Sequence, residues 1–260
     1  MEPTARPCVF PLLLLGIAAG FLSGLFGIGG GTVIVPALTL WLGMSQRLAA
    51  GTSVTAILPT AAIGATTYAI QGNVDWMSAI LLAVGIIVGA QLGSHWLDKF
   101  PISVLQWGFM VFLAFIIVSL WFVVPQLGDV IGITWLTGAM IIFTGFAIGV
   151  LSGLLGIGGG VVIVPVLILF FGASDLVAKG SSMLMMIPGS ISATLGNLRR
   201  RNVDLRAASI IGLTSCLCVP FGALFATWID PFWGNVAFSV FLAIILVQLL
   251  IRKLKEKRAW

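Results

Sequence analysis

The sequence contains few charged residues. Only 8% of its 260 residues are Asp, Glu, Lys or Arg, whereas soluble domains contain about 25%. So little charge excludes an ordinary soluble domain, because such a domain needs a polar surface. Hydrophobic residues make up 60% of the chain, and apolar runs recur that are long enough to cross a bilayer core of about 30 Å. The chain is therefore predicted to be an all-α polytopic membrane protein.

Reactive side chains are also scarce. Cys216 and Cys218 lie two apart in an apolar run, which suits neither a disulfide nor a metal site. The single histidine, His95, is interpreted as an interfacial residue near a span end. Asp75 and Asp204 precede predicted spans and are interpreted as helix caps. The sequence therefore predicts no catalytic residues, no metal and no other cofactor, and the chain is not expected to be an enzyme.

What the chain does contain is an internal repeat. Residues 20–43 and 149–172 are identical at 17 of 24 positions without a gap, at an offset of 129 residues. The same offset keeps matching further along the chain, so that Pro59 meets Pro188. Self-similarity of this kind indicates a duplicated structural unit. We expect two transmembrane repeats, residues 1–128 and 129–260, in one integral-membrane unit.

The number of spans depends on the first stretch of each repeat. Each repeat holds three clear later spans, but residues 9–43 would be about 52 Å long as one helix, which exceeds one span and falls slightly short of two. A single helix gives eight spans, four in each repeat. A hairpin broken at the glycine run gives ten, five in each repeat.

The distribution of positive charge favours ten spans. With ten, twelve of the 13 Lys and Arg residues lie on one side and only Lys179 on the other; with eight, the split is ten to three. The positive-inside rule prefers the first arrangement and places both termini in the cytoplasm. Five segments is an odd number, so the repeats would be inverted, a plan common among secondary transporters. Charges confined to short loops and the tail also argue against a nucleic-acid partner.

The glycine run at residues 27–31 recurs at residues 156–160. Such a run exposes backbone N–H groups, and the helix that follows adds its positive end, so together they form an anion site without formal charge. Inside a membrane, irregular backbone survives only when it is buried in protein or lines a polar cavity. Alternatively, the glycines serve close helix packing. The predicted substrate-binding residues here are Gly29, Gly30, Gly31, Thr32, Gly158, Gly159, Gly160 and Val161.

Further polar residues within spans are candidate substrate contacts. The hydroxyls of Thr52, Ser53, Ser181 and Ser182 could donate to substrate oxygens, or they could cap a helix or bond to the preceding turn. Gln91 lies deep in a predicted span, where its amide could contact substrate or form an interhelical hydrogen bond.

A longer motif surrounds each glycine run. The pattern Gly-x-x-x-Gly-x-x-Gly-x-Gly-Gly-Gly-x-x-x-x-Pro runs from Gly20 to Pro36 and again from Gly149 to Pro165. A later Gly-Thr-Ser at residues 51–53 becomes Gly-Ser-Ser at residues 180–182. In these motifs both repeats resemble the sulfite exporter TauE/SafE family. The resemblance implies transport of sulfur-containing anions, such as sulfite or organosulfonates, across the bacterial inner membrane. Some members are thought to carry other small anions.

These observations favour a secondary transporter or exporter that binds a small anion between the two glycine-interrupted helices. An anion channel with the same donors, and a transporter of other small organic anions, remain as alternatives. An intramembrane enzyme, or a subunit of a redox complex, would need a nucleophile, metal ligands or a partner protein. The expected partners are the small anion, membrane lipid and a second copy of the chain in a homodimer.

Overall fold

The computed structural model describes residues 9–96, 102–120, 134–155 and 159–258, and within these ranges it contains helices and no strand. The helices are α1 Val9–Phe26, α2 Gly31–Leu40, α3 Gln46–Ile70, α4 Trp76–Trp96, α5 Ile102–Leu120, α6 Trp135–Leu155, α7 Gly160–Phe171, α8 Asp175–Arg199, α9 Leu205–Trp228 and α10 Pro231–Arg258. The prediction of an all-helical polytopic protein is confirmed.

The duplication is visible in where the helices begin. Each of α2 to α5 begins 129 residues before its equivalent among α7 to α10. The capping residues also correspond: the hydroxyls of Ser45 and Ser174 accept hydrogen bonds from the third residues of α3 and α8. The carboxylates of Asp75 and Asp204 accept from the third residues of α4 and α9, at 3.2 and 3.0 Å. The prediction that these two aspartates cap helices is confirmed.

The first stretch of each repeat consists of two helices. Leu12, Leu15 and Ala19 of α1 share a hydrophobic cluster with Ile34 and Leu38 of α2, so the chain folds back on itself after the glycine run. However, α2 has 10 residues and α7 has 12, which correspond to about 15 and 18 Å. Helices of that length cross about half of a bilayer core. The prediction of ten segments is therefore right in number, but two of them are too short to be full spans.

Four helical stretches are long and apolar enough to cross a membrane by themselves, and shorter apolar helices accompany them in the described part of the chain. These four are Val9–Phe26, Gln46–Ile70, Leu205–Trp228 and Phe232–Ile251. Many large hydrophobic side chains on the outer surface are exposed, as expected where lipid replaces water.

The two repeats interlock instead of forming separate bodies. Helix α1 of the first repeat packs on α9 of the second, and α6 correspondingly packs on α4. Between these pairs α3 contacts α8, so the two longest capped helices form the centre. The predicted boundary between residues 128 and 129 lies outside the described residues.

Glycines allow the close approach of α1 to α9 and of α6 to α4. A Cβ atom added to Gly20 would lie 2.5 Å from the carbonyl oxygen of Ser215, and one added to Gly149 would lie 2.7 Å from that of Ile86. Small residues at helix interfaces in membranes permit such backbone contact. The glycines before each break therefore serve helix packing, which was the alternative interpretation of the motif.

Candidate functional site

The first glycine run separates α1 from α2 at a buried position. Gly27, Gly29 and Gly30 follow the end of α1 with φ angles of 69°, 71° and 77°, a left-handed conformation that favours glycine. The N–H groups of Val33 and Ile34 donate the first bonds of α2, both 3.0 Å long, to the carbonyl of Gly30. The N–H groups of residues 31 and 32 therefore lie before the helical ladder, as at any helix start.

The second break repeats this geometry where the structure describes it. Gly159 has a φ of 76°, and its carbonyl accepts hydrogen bonds of 3.1 Å from the N–H groups of Val162 and Ile163. Gly160 and Val161, two of the predicted site residues, begin α7 and are buried. Gly158, also predicted to bind substrate, lies outside the described residues.

The two breaks touch each other. A Cβ atom added to Gly160 would lie 2.9 Å from the backbone of Ile28 and would also meet the terminal methyl of Met186. A Cβ atom added to Gly29 would lie 2.6 Å from the sulfur of Met186. The start of α7 therefore packs directly on the first break, with the Met186 side chain from α8 against both. In this conformation neither Gly29 nor Gly160 has room for a methyl group.

Three hydroxyl groups in the predicted region are buried and lack a hydrogen-bond partner among the described residues. They belong to Ser23 in α1, Thr32 in α2 and Ser53 in α3. Thr32 is the second residue of α2 and is 3% exposed. An unpaired buried hydroxyl is unfavourable by about 1–3 kcal/mol, and such groups call for a specific explanation. A ligand oxygen at the start of α2 would provide the missing partner.

The remaining predicted hydroxyls make hydrogen bonds between the repeats. The Thr52 hydroxyl accepts a bond of 3.0 Å from the N–H of Asp204, and the Ser181 hydroxyl accepts one of 2.9 Å from the N–H of Asp75. The Ser182 hydroxyl donates to the carbonyl of Gly27 at 2.9 Å. These three residues thus join α3 and α8 to the opposite repeat, which neither a helix cap nor a bond to the preceding turn would do.

Gln91 differs from the other predicted site residues in its exposure. It is exposed on α4, whereas the described glycines, Thr32 and Val161 are buried. Among the other residues considered above, Cys216 and Cys218 are free thiols. The described part of the chain contains no group of three metal-ligating side chains.

The sequence analysis missed a buried ion pair. The ammonium group of Lys179 lies 2.6 Å from a carboxylate oxygen of Asp175 within α8, and the two side chains are 3% and 13% exposed. Lys179 was expected to be a charge on the non-cytoplasmic side, near the start of a span. Helix α8 begins at Asp175 and contains both residues of the pair. The signal was present in the sequence, because the two residues have the four-residue spacing of a helical ion pair.

Comparison with known proteins identifies the family to which this architecture belongs. Residues 2–120 and 141–260 match the family described as sulfite exporter TauE/SafE. The chain belongs to this family. Among its relatives, the probable membrane transporter protein YunE of Bacillus subtilis is 28% identical over 216 residues, covering 74% of this chain and 79% of the relative. A probable membrane transporter protein of Xylella fastidiosa is 32% identical over 196 residues, covering 73% and 74%.

A third relative, a probable membrane transporter protein of Haemophilus influenzae, is 27% identical over 198 residues, covering 74% of this chain and 73% of the relative. No solved structure matches the chain. The TauE/SafE chain is thus a multi-pass membrane transporter, in a family of transporters and not of enzymes. The predicted family resemblance is confirmed.

Proposed function

We infer that this TauE/SafE chain is a secondary transporter of small sulfur-containing anions, of the sulfite or organosulfonate class, which bind between the two glycine breaks. The observation that carries this proposal is the contact between Gly160 and the backbone of Ile28, which brings both interruptions to one buried place. The start of α2 adds an unpaired hydroxyl at Thr32. Helix starts and glycine backbone favour negative charge.

The close packing at the breaks supports alternating access over a permanent channel. Met186 fills the space beside Gly29 and Gly160, so an anion can occupy that space only after this side chain moves. Methionine is flexible and can repack with little penalty. A site that is closed at rest and opens by repacking suits a carrier.

The two repeats exchange helix partners symmetrically, and the odd number of segments in each repeat supports an inverted arrangement. The contact of α1 with α9 has its counterpart in α6 with α4, and the contact of α3 with α9 has its counterpart in α8 with α4. If each repeat has five segments that alternate in direction, the second enters from the opposite side of the membrane. The two short hairpins, α1–α2 and α6–α7, then enter from opposite faces of the membrane, and their glycine breaks meet inside it.

The proposed topology places both termini in the cytoplasm of a bacterial inner membrane. Lys179 is buried in α8, so the Lys and Arg residues outside the predicted spans all belong to one side in this topology. The exposed large hydrophobic side chains offer surface to lipid and to a second copy of the chain in a homodimer.

Proteoliposomes provide the test. The purified protein is reconstituted, and uptake of sulfite, methanesulfonate, sulfate and acetate is measured at increasing concentration. A carrier gives saturable uptake, with sulfite or methanesulfonate preferred over acetate. Conductance that does not saturate would support the anion channel instead, and preference for acetate would support a carrier of other organic anions. The absence of uptake and of ligand-induced thermal stabilisation for all four anions would refute anion transport.

A further inference from the structure

A buried ion pair lies beside the first glycine break. The Cα atom of Lys179 packs so closely on Gly27 that a Cβ atom there would lie 2.6 Å from it. One turn further along α8, the Ser182 hydroxyl donates to the carbonyl of Gly27. Residues three apart share one face of a helix. The face of α8 that carries Lys179 therefore faces the break, with Asp175 one turn closer to the start of the helix.

The fold itself does not require this pair. At the offset of 129 residues, the positions equivalent to Asp175 and Lys179 hold Gln46 and Ala50 in α3. Helices α3 and α8 nevertheless have the same length of 25 residues, and a serine caps each. A helix start of the same form is thus built in the first repeat with neutral residues at these two positions. Since a buried ion pair is only a weak source of stability, the charges in α8 point to a role in function.

A transported anion needs more positive charge than the breaks provide. A helix start contributes about half an elementary charge, and an anion removed from water without a counter-charge is strongly unfavourable. The lysine ammonium is a compact full charge on a flexible four-carbon stem. Its Cα atom packs on Gly27, so the stem can turn away from Asp175 while the ammonium stays beside the break.

We propose that Lys179 supplies the full positive charge that binds the transported anion, and that Asp175 is the resident counter-ion which the anion displaces. This assignment rests on the proposed function and adds the charged member of its site. In the empty protein Asp175 neutralises Lys179. In the loaded protein the anion takes that place, and the displaced Asp175 carboxylate stays in the first turn of α8, where the positive helix end stabilises it. The glycine backbone and the Thr32 hydroxyl supply the remaining contacts to the anion.

The decisive variant copies the first repeat. Asp175→Gln combined with Lys179→Ala introduces the residues of positions 46 and 50 and leaves no unpaired buried charge. With sulfite as the probe in proteoliposomes, we expect the KM of the double variant to rise by about tenfold to a hundredfold, the range of one charge-assisted hydrogen bond. The melting temperature of the anion-free protein should change little. A double variant with the wild-type KM for sulfite would overturn the assignment.

A second variant gives an effect that misfolding cannot imitate. Asp175→Asn removes the competing carboxylate and keeps Lys179, so we expect the KM for sulfite to fall below that of the wild type. A KM that stays the same or rises would contradict displacement of Asp175 by the anion. These outcomes differ from failure of the proposed function, in which the wild-type protein itself takes up none of the tested anions; that result would overturn both proposals.

Discussion

The hydroxyl of Ser181 accepts a hydrogen bond of 2.9 Å from the backbone N–H of Asp75, which lies 106 residues earlier in the chain. At the equivalent positions, the Thr52 hydroxyl accepts from the N–H of Asp204 at 3.0 Å. Each acceptor lies on a central helix, α3 or α8, and each donor caps the fourth helix of the opposite repeat. A buried N–H group needs such a partner, so the two bonds fix the repeats to one another.

Replacing the Ser181 hydroxyl should destabilise the protein without changing its selectivity. In Ser181→Ala the buried N–H of Asp75 loses its acceptor, and we expect the free energy of unfolding to fall by about 1–3 kcal/mol. Thermal unfolding of the purified protein measures this loss. The control is Thr66→Ala, whose exposed hydroxyl bonds only to its own helix and should change stability little. A changed order of preference among anions in Ser181→Ala would instead assign this hydroxyl to the substrate.

The contact between the breaks should not tolerate a methyl group. Gly160→Ala would press on Met186 and on the backbone of Ile28, and overpacking of this kind typically lowers stability by about 1–3 kcal/mol. Because the breaks must separate to accommodate the methyl group, we also expect saturable uptake to be lost. Gly196→Ala in α8 is the matched control, since its Cβ atom would meet nothing within 4 Å. It should stabilise the helix by up to about 1 kcal/mol. Normal uptake by Gly160→Ala would contradict a site at this contact.

The Thr32 hydroxyl should matter for binding and not for stability. Thr32→Val keeps the shape and removes a buried group that lacks a partner among the described residues, so we expect stability to be equal or higher. If the hydroxyl donates to a bound anion, the KM should rise by about tenfold, whereas Thr32→Ser should retain most of the affinity. Thr60→Val serves as a control, because the Thr60 hydroxyl is already bonded to its own helix. An unchanged KM in Thr32→Val would remove this residue from the site.

Arg201 occupies a conformation that its equivalent in the first repeat leaves to glycine. Its φ is 55°, and that of Gly72 is 74°. The left-handed region is unfavourable for residues other than glycine by about 1–2 kcal/mol. Glycine removes this strain, but it also makes the unfolded chain more flexible, which offsets part of the gain in stability. We expect Arg201→Gly to raise stability by up to about 1 kcal/mol. Arg200→Gly, at a φ of −89°, should lower it, and equal effects of the two changes would refute the argument.

The helices were predictable from local patterns, but how far each hairpin reaches into the protein was not. Apolar runs with flanking caps predict spans from residues 76 and 205, where α4 and α9 begin. The glycine run indicates a break in each hairpin, but whether the two breaks meet depends on how far each hairpin reaches. The contact of Gly160 with Ile28 is therefore a property of tertiary packing, and local sequence contains no measure of it.

The hydrogen-bonding roles of two predicted site residues could not be read from the sequence, because their partners lie in the other repeat. Thr52 and Ser181 recur at equivalent positions, which suggested a shared role, but their acceptor role becomes visible only when the opposite repeat packs beside them. Lys179 was counted as a charge on the non-cytoplasmic side, although the span predicted from residue 177 already contained it. The Ser174 cap starts α8 earlier, at Asp175, and this start places Asp175 in the helix one turn before Lys179.

The exchange of partners between α1 and α9, and between α6 and α4, has a consequence for how such a chain could arise. The glycine-lined flank of each first helix is covered by the other half. A single half would therefore expose this flank to lipid unless a second, identical half covered it. Two identical subunits could cover each other in this way, and joining them in one chain would allow a residue such as Lys179 to differ in one half alone.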